Sequence, residues 1–317
     1  MTKVEFPGFN IVLNIKSEAF SIGNLTVYWY GLIICVGALL ASLYIYKNAK
    51  KFGIDPDKSI DYVMYTLIFG IIGARIYFVA FKWDYYKNNL NDIYKIWNGG
   101  LGFYGGIIAG ALCLLVICRI YKNNVLDVMD LLLPAVLLGQ GIGRWGNFMN
   151  IEAFGCYYTG LFRMISPKID SYLHMHPEEL GKDFSVSEVM SMTDIPVHPT
   201  FLYESLWLIL GFVIIALFYT KRKCFRGELS LRYFAWNGFG RYFIEGLRTD
   251  SLMIGCFRMA QLVSVLFFVG GLLGYIGIYH KVFHLYRKPV VLFDLDGTIY
   301  FGDTLADNAN RLFLLYD

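Results

Sequence analysis

Four arginines stand where a chain rarely places them. Arg75, Arg144 and Arg241 fall inside long apolar runs, and Arg248 stands just past the end of one. A guanidinium inside a membrane span is expensive unless it meets a partner or a wet cavity. It also presents a planar fork of donors matched to phosphate or carboxylate oxygens. Snorkelling to headgroups accounts for any one of these arginines as well as a binding role does, but four at similar depth on three helices favour a shared anion site. Polar groups keep them company. In Gly139-Gln-Gly141-Ile-Gly143-Arg144-Trp-Gly146-Asn147-Phe-Met-Asn150-Ile-Glu152-Ala-Phe-Gly155, a continuous helix puts Arg144 and Asn147 on one face, with Glu152 close behind. The glycines let another helix or a headgroup approach the backbone. Arg241, Glu245 and Arg248 repeat the one-face spacing at i, i+4 and i+7. Such a set can hold an anion such as a phosphate. The cysteines Cys35, Cys113, Cys118, Cys156, Cys224 and Cys256 include no CxxC pair. Only Cys156 and Cys256 fall in segments outside the cytoplasm, and no pattern pairs them. His174, His176 and His198 read as residues of a solvated loop, so neither a metal nor another cofactor is expected.

Elements that position these residues must be membrane helices. The chain of 317 residues is 56% hydrophobic and 17% charged, with mean hydropathy +0.49, too apolar for a soluble domain. A net charge of +3 gives no basis for binding nucleic acid. The apolar residues come in blocks that are apolar all round, each near the roughly 20 residues a span requires. These blocks predict seven spans at about 25–46, 60–81, 100–121, 125–147, 200–219, 229–247 and 259–280. The expected fold is therefore an all-α integral membrane protein of seven transmembrane helices. Basic residues gather after spans one (Lys47, Lys50, Lys51, Lys58), three (Arg119, Lys122), five (Lys221, Arg222, Lys223, Arg226) and seven (Lys281, Arg287, Lys288). Those connections mark the cytoplasmic side, which gives N-out, C-in and puts the four arginines in the outer half. Residues 1–21 lack the uninterrupted apolar core of a signal peptide.

The Gly139–Gly155 run resembles the signature of the prolipoprotein diacylglyceryl transferases, Gly-Arg-x-Gly-Asn-Phe-x-Asn-x-Glu closing on glycine. Most of residues 20–280 share the likeness. Tyr28-Trp29-Tyr30-Gly31 opens span one as in that family, with Tyr30 at its functional tyrosine, and Gly70-Ile-Ile-Gly73-Ala-Arg75 resembles its second-span motif. His198-Pro199-Thr-Phe-Leu-Tyr203-Glu204 and Arg241-Tyr-Phe-Ile-Glu245-Gly-Leu-Arg248 match its motifs at spans five and six. The resemblance implies a bacterial inner-membrane, multi-pass enzyme that moves a diacylglyceryl group from phosphatidylglycerol to the lipobox cysteine of a prolipoprotein signal peptide, releasing glycerol 1-phosphate. It implies Arg144, Arg241, Tyr104 and Glu245 as catalytic residues. Arg144, Asn147, Glu152, Gly155, Tyr30, Arg75, Arg248, Tyr203 and Glu204 would bind substrate. One position departs from the pattern: many members carry histidine where Asn98–Gly106 has Tyr104. A phenol with pKa near 10 is a poor base at neutral pH, so the proton acceptor stays open. The thiol needs little help, being partly thiolate and intrinsically nucleophilic at pH 7.

The transferase-like domain covers 1–287, and 288–317 forms a separate segment with a short β-like run. Its Asp294-Leu-Asp296-Gly-Thr resembles the first motif of haloacid-dehalogenase-type phosphohydrolases, with Asp294 at the nucleophile and Asp296 at the acid/base position. About thirty residues cannot build the Mg²⁺-holding α/β domain of that family, so the segment reads as an inert fragment. An anion transporter would also use such arginines, but the related halves common in transporters are absent. Orientation is directly testable. A reporter fused after Lys288 should read cytoplasmic and one inserted near His176 extracytoplasmic; the reverse at both sites would overturn the topology and the outer-leaflet site with it.

Overall fold

The protein is described by a computed structural model, covering all residues except 24, 181–183, 250–252, 255–256, 288–289, 294–298 and 303–317. Its long helices follow the apolar blocks: α1 (Trp29–Asn48), α2 (Pro56–Phe81), α4 (Phe103–Ile120), α5 (Val125–Asn150), α8 (Thr200–Phe212), α9 (Glu228–Leu247) and α10 (Met259–Arg287). Short helices α3 (Trp83–Tyr86), α6 (Pro167–Met175) and α7 (Val186–Ser191) lie in the connections. The chain supplies its own start signals. Asp55 accepts a hydrogen bond from the Asp57 N–H ahead of α2, with Pro56 in the first turn, and Asn124 does the same for Leu126 ahead of α5. α8 runs on as a π-helical stretch to Tyr219.

Among the described residues, six helices have the length and apolarity to cross a membrane, so the reading of an all-α membrane protein holds. The remaining expected span, the sixth at 229–247, is α9. It has 20 residues, enough to span, but it carries Glu228, Arg232, Arg241 and Glu245 and falls outside those six. α5 is the central helix, packed on α1, α8 and α9, while α2 pairs with α4 and α9 with α10. α2 and α4 come into backbone contact at Gly73 and Gly105, where a Cβ on either would lie within 2.3 Å of side-chain atoms opposite. α8 and α9 are locked by two tryptophans. Trp207 and Trp236 stack at 4.2 Å, and each indole N–H donates to the other's backbone carbonyl, at 3.1 and 3.0 Å.

A cap covers one end of the bundle, with its own core around Val4, Ile15, Phe148, Met164, Ile169, Leu173, Ile195 and Val197. Strands β1 (Thr2–Phe6) and β2 (Ile11–Ile15) form an antiparallel hairpin, followed by a second from β3 (Glu18–Ile22) and β4 (Leu25–Tyr28). β1 joins the long segment before α8 by reciprocal Glu5–Ile165 backbone bonds of 2.9 and 3.0 Å. These N-terminal strands are not anticipated by the sequence reading. Short strands β5 (Met253–Ile254) and β6 (Phe257–Arg258) precede α10, and the expected β-like tail is a hairpin of β7 (Val290–Phe293) and β8 (Ile299–Gly302). Asp294, Asp296 and Cys256 lie outside the described residues, so the dehalogenase-like motif and a Cys156–Cys256 disulfide are untouched by the structure.

At the other end, the basic residues of the sequence reading form a clasp. Asp130 of α5 is fully buried and accepts from the Gly227 and Ser230 N–H groups and the Ser230 hydroxyl at 2.7–2.8 Å. An acidic group from one helix thus caps the start of another, where N–H groups lack helical partners. Lys223 reaches Asp130 at 2.9 Å and Asp127 at 3.1 Å. Removing one member of such a buried network costs on the order of 3–5 kcal/mol, because the remaining charge is left unpaired. Asp130→Ala should therefore lower the unfolding temperature in detergent sharply. Arg226→Ala should change it little, since that arginine is 66% exposed against Asp127. Equal effects at the two positions would refute the clasp.

Candidate active site

Near the capped end, two of the arginines converge on one carboxylate. Glu204, in the first turns of α8, is buried, and its Oε1 lies 2.6 Å from Arg144 Nη2 and 2.8 Å from Arg241 Nη1. Arg241 also reaches Glu245 one turn along α9, at 2.8 Å. The Arg144 Nη1 group points at Asn147 Oδ1 at 3.4 Å, a long contact that orients more than it binds. The guanidiniums are 23% and 27% exposed, so the cluster is open on one side. With five N–H donors on each guanidinium, paired carboxylates leave capacity for a further anion.

Neighbouring elements hold this arrangement in place. Trp145 Nε1 donates to Ser205 Oγ at 3.1 Å, and that hydroxyl donates to the Gly141 carbonyl at 2.8 Å, tying α5 to α8 beside the cluster. Tyr30 lies over Gly146, where a Cβ would come within 2.9 Å of its ring. At Gly155 a Cβ would fall 2.7–2.9 Å from Leu247 O, His198 Cβ and Thr200 Cγ2, so only glycine lets three segments meet there. The Gly155 N–H donates to the His198 carbonyl at 2.8 Å, and Gly155 bridges to Arg248. Thr200 donates to the Ala153 carbonyl, and Arg258 to that of Glu245.

Arg144, Asn147, Glu204, Arg241 and Glu245 are thus brought together, with Tyr30 and Gly155 packed around them. Glu152 and Arg248 line an adjoining cleft with Asn147. Arg75 is a correction to the shared anion site. Its guanidinium is spent on the backbone carbonyls of Asp92, Ile93, Lys95, Gly99 and Gly100, at 2.5–3.4 Å, and its residue is buried. It ties down the loop between α2 and α4 and is not part of the cluster. Tyr203 faces elsewhere too: its hydroxyl lies 3.3 Å from His198 Nδ1, and Tyr158 stacks on the same imidazole at 3.9 Å. Burial pushes the His198 pKa below its ordinary value, which keeps the ring neutral at pH 7. Tyr104 sits half-buried in the first turn of α4, edge-on to Phe103. Ser205, Arg258 and Thr200 were not picked out from the sequence. Ser205 directly follows Glu204 in a recognised motif, and that adjacency was the one signal available.

Comparison with known proteins converges on one family. The profile of the family described as prolipoprotein diacylglyceryl transferase matches residues 17–277. The phosphatidylglycerol–prolipoprotein diacylglyceryl transferase of Limosilactobacillus reuteri (strain DSM 20016) is 41% identical over 256 residues, 80% of this chain and 88% of the relative. The protein of the same name from Staphylococcus haemolyticus (strain JCSC1435) is 43% identical over 270 residues, 84% and 89% of the two chains. That from Listeria monocytogenes serotype 4a (strain HCC23) is 43% identical over 260 residues, 82% and 88%.

Glu204 neutralises two guanidiniums that would otherwise repel one another in a poorly solvated place. Glu204→Gln keeps the shape and removes the charge, so the variant should be less stable than wild type in detergent. Added inorganic phosphate should raise its unfolding temperature more than that of wild type, because an anion can replace the lost carboxylate charge. An equal response of the two proteins would count against an anion-accepting cluster.

Proposed function

The chain belongs to the prolipoprotein diacylglyceryl transferase family, and from that membership we propose how its outer arginines carry the reaction. The enzyme is a multi-pass membrane transferase that moves the diacylglyceryl group of phosphatidylglycerol to a prolipoprotein. Our reading is that the acceptor is the lipobox cysteine of the signal peptide and that the site faces the outer leaflet of a bacterial inner membrane. The seven-span, N-out, C-in topology belongs to the same reading, with α9 as the sixth span. Residues 288–317 are assigned as a separate segment with no part in the chemistry.

The single observation that carries the mechanism is the Arg144–Glu204–Arg241 cluster. The cysteine thiolate attacks the glyceryl carbon, a sulfur–carbon bond forms, and the carbon–oxygen bond to phosphate breaks with its electron pair going to oxygen. Glycerol 1-phosphate departs. Charge on the phosphate grows along this path, so guanidiniums already aimed there bind the transition state better than the ground state. Arg144 takes the phosphate, directed by Asn147 and held by Glu204. Arg241, steadied by Glu204 and Glu245, supplies a second fork. Tyr30 and Gly155 shape the walls, while Glu152 and Arg248 border the polar end of the substrate. Tyr104 acts through hydrogen bonding to substrate or a water and is not an obligatory base. Arg75 and Tyr203 support this site through the loop and the His198 aromatic group and do not touch the lipid.

Initial transfer rates from labelled phosphatidylglycerol to a lipobox peptide, at matched membrane abundance, test this assignment. Arg144→Ala should lose on the order of 10²–10³ in rate, the range seen for one oxyanion donor. Arg144→Lys should also be clearly impaired, since charge without the planar fork does not suffice. Arg119→Ala, at the opposite end of α4, should turn over nearly normally, and Tyr104→Phe should lose modestly. Near-normal turnover by Arg144→Ala, or equal losses at Arg144 and Arg119, would remove the anion-site argument.

A further inference from the structure

In the half of the bundle opposite the cap, α8, α9 and α10 enclose a groove of about 440 Å³, a size ordinary for a small-molecule site. Its walls are locked in two places. α9 and α10 meet backbone to backbone: a Cβ on Gly238 would lie 2.5 Å from the Ser264 carbonyl oxygen, and one on Gly271 2.7 Å from that of Leu231. α8 is joined to α9 by the Trp207–Trp236 stack. Past that stack α8 turns π-helical over Val213–Tyr219, a rare distortion that often marks functional positions. This stretch gives the groove Ile214, Ile215 and Tyr219. Most of the remaining lining is apolar, and Arg232 is the charged side chain among the described lining residues. Its guanidinium lies between the Tyr219 and Tyr275 rings, 3.6 and 4.5 Å from their centroids, which fixes its plane. Nε and Nη2 donate to the Glu228 carboxylate at 3.1 and 2.7 Å, and Nη2 also donates to the Tyr275 hydroxyl at 2.7 Å. Among the described residues nothing takes the Nη1 donors, and the side chain is 19% exposed, so a ligand can reach them.

We infer that this groove holds one acyl chain of an anionic phospholipid from the leaflet at the end opposite the cap, with the lipid phosphate at Arg232. Shape and charge both select that occupant. The α9 lining residues run from Leu231 to Phe239, roughly 12 Å of helix, against about 15 Å for the hydrocarbon depth of one leaflet. Over that length the groove averages roughly 40 Å² in cross-section, room for a hydrocarbon chain and too little for a helix about 10 Å across. Charge gathers at one end of it. Between Thr220 and Arg232 the sequence holds five cations and one carboxylate, Glu228. Lys223 and Arg226 pair with Asp127 and Asp130 of α5, and a positive surplus remains for a phosphodiester. This lipid is a resident and not a substrate, because Arg241 of the reacting cluster lies nine residues further along α9, roughly 14 Å away. A chain lodged there braces the π-helical end of α8, the helix that carries Glu204, against α10. The site needs a membrane around the bundle and nothing of the reaction assigned above.

The test follows the unfolding temperature of the full chain in uncharged alkyl-maltoside micelles as dioleoyl phosphatidylserine or dioleoyl phosphatidylcholine is added. Phosphatidylserine supplies the anionic headgroup without the glycerol that the transferase site calls for. Wild type should be stabilised at a lower mole fraction of phosphatidylserine than of phosphatidylcholine. Leu272→Trp fills the groove from a position 39% exposed, and should raise the mole fraction of phosphatidylserine needed about tenfold. Leu206→Trp, on α8 outside the groove and 58% exposed, should respond as wild type does. Arg232→Lys keeps a charge beside Glu228 but loses the stacked fork, so its preference for phosphatidylserine should shrink severalfold while its response to phosphatidylcholine stays the same. Equal potency of the two lipids on wild type would overturn the site. So would an unchanged response in Leu272→Trp, or an equal loss in Leu206→Trp. A full preference for phosphatidylserine in Arg232→Lys would refute the placing of the phosphate.

Discussion

One carboxylate oxygen shared by two guanidiniums governs the architecture of the capped half of this protein. A bare arginine in a hydrocarbon environment would neutralise, snorkel or unfold its helix; Glu204 makes two of them tolerable at once. That solution requires α5, α8 and α9 to meet at one depth. The small hydroxyl of Ser205 under Trp145, and the glycines at 146 and 155, are what allow the meeting. The same pairing leaves guanidinium N–H donors available in a place from which bulk water is partly withdrawn. Electrostatic interactions there are stronger than at an ordinary surface. Cohesion of the bundle and the donors proposed to meet a phosphate thus belong to a single group of side chains.

The cap contributes in another way. Its strands and short helices have a separate core and a separate set of backbone bonds, which also fasten Gly155 to His198 ahead of α8. Arg75 belongs with this function of holding parts together: a buried cation coordinated by five carbonyls secures the connection that ends at Tyr104. An arginine among apolar helices can be held by a carboxylate or by backbone carbonyls. Both arrangements occur within this protein.

Much of this was legible in the residues. Apolar blocks near 20 residues long mark the spans because every backbone group in a bilayer must be satisfied within its own helix. Arg144 and Arg241 are each costly alone, which pointed to a partner for both; that Glu204 is the group joining them was not part of the sequence reading. α9 was harder to place for the same reason, as its charges dilute the apolar signal. Arg75 was read by depth, and depth carries no information about carbonyls that lie 17–25 positions later in the chain. The hairpin of β1 and β2 escaped notice because most of its side chains are at least partly exposed, while the buried Val4 and Ile15 find partners such as Met164 and Val197 far along the sequence.

The tryptophan pair of α8 and α9 bears on how a two-tailed lipid reaches a buried headgroup site. Phosphatidylglycerol cannot leave the bilayer to enter; its acyl chains must slide sideways between helices while the headgroup advances above them. Reciprocal indole-to-carbonyl bonds and a flush stack join α8 to α9 face to face, and Asp130 ties α5 to α9 at the far end. The direct path between α8 and α9 is thereby filled by side chains where the two indoles meet, and the wall of the bundle is closed at that point.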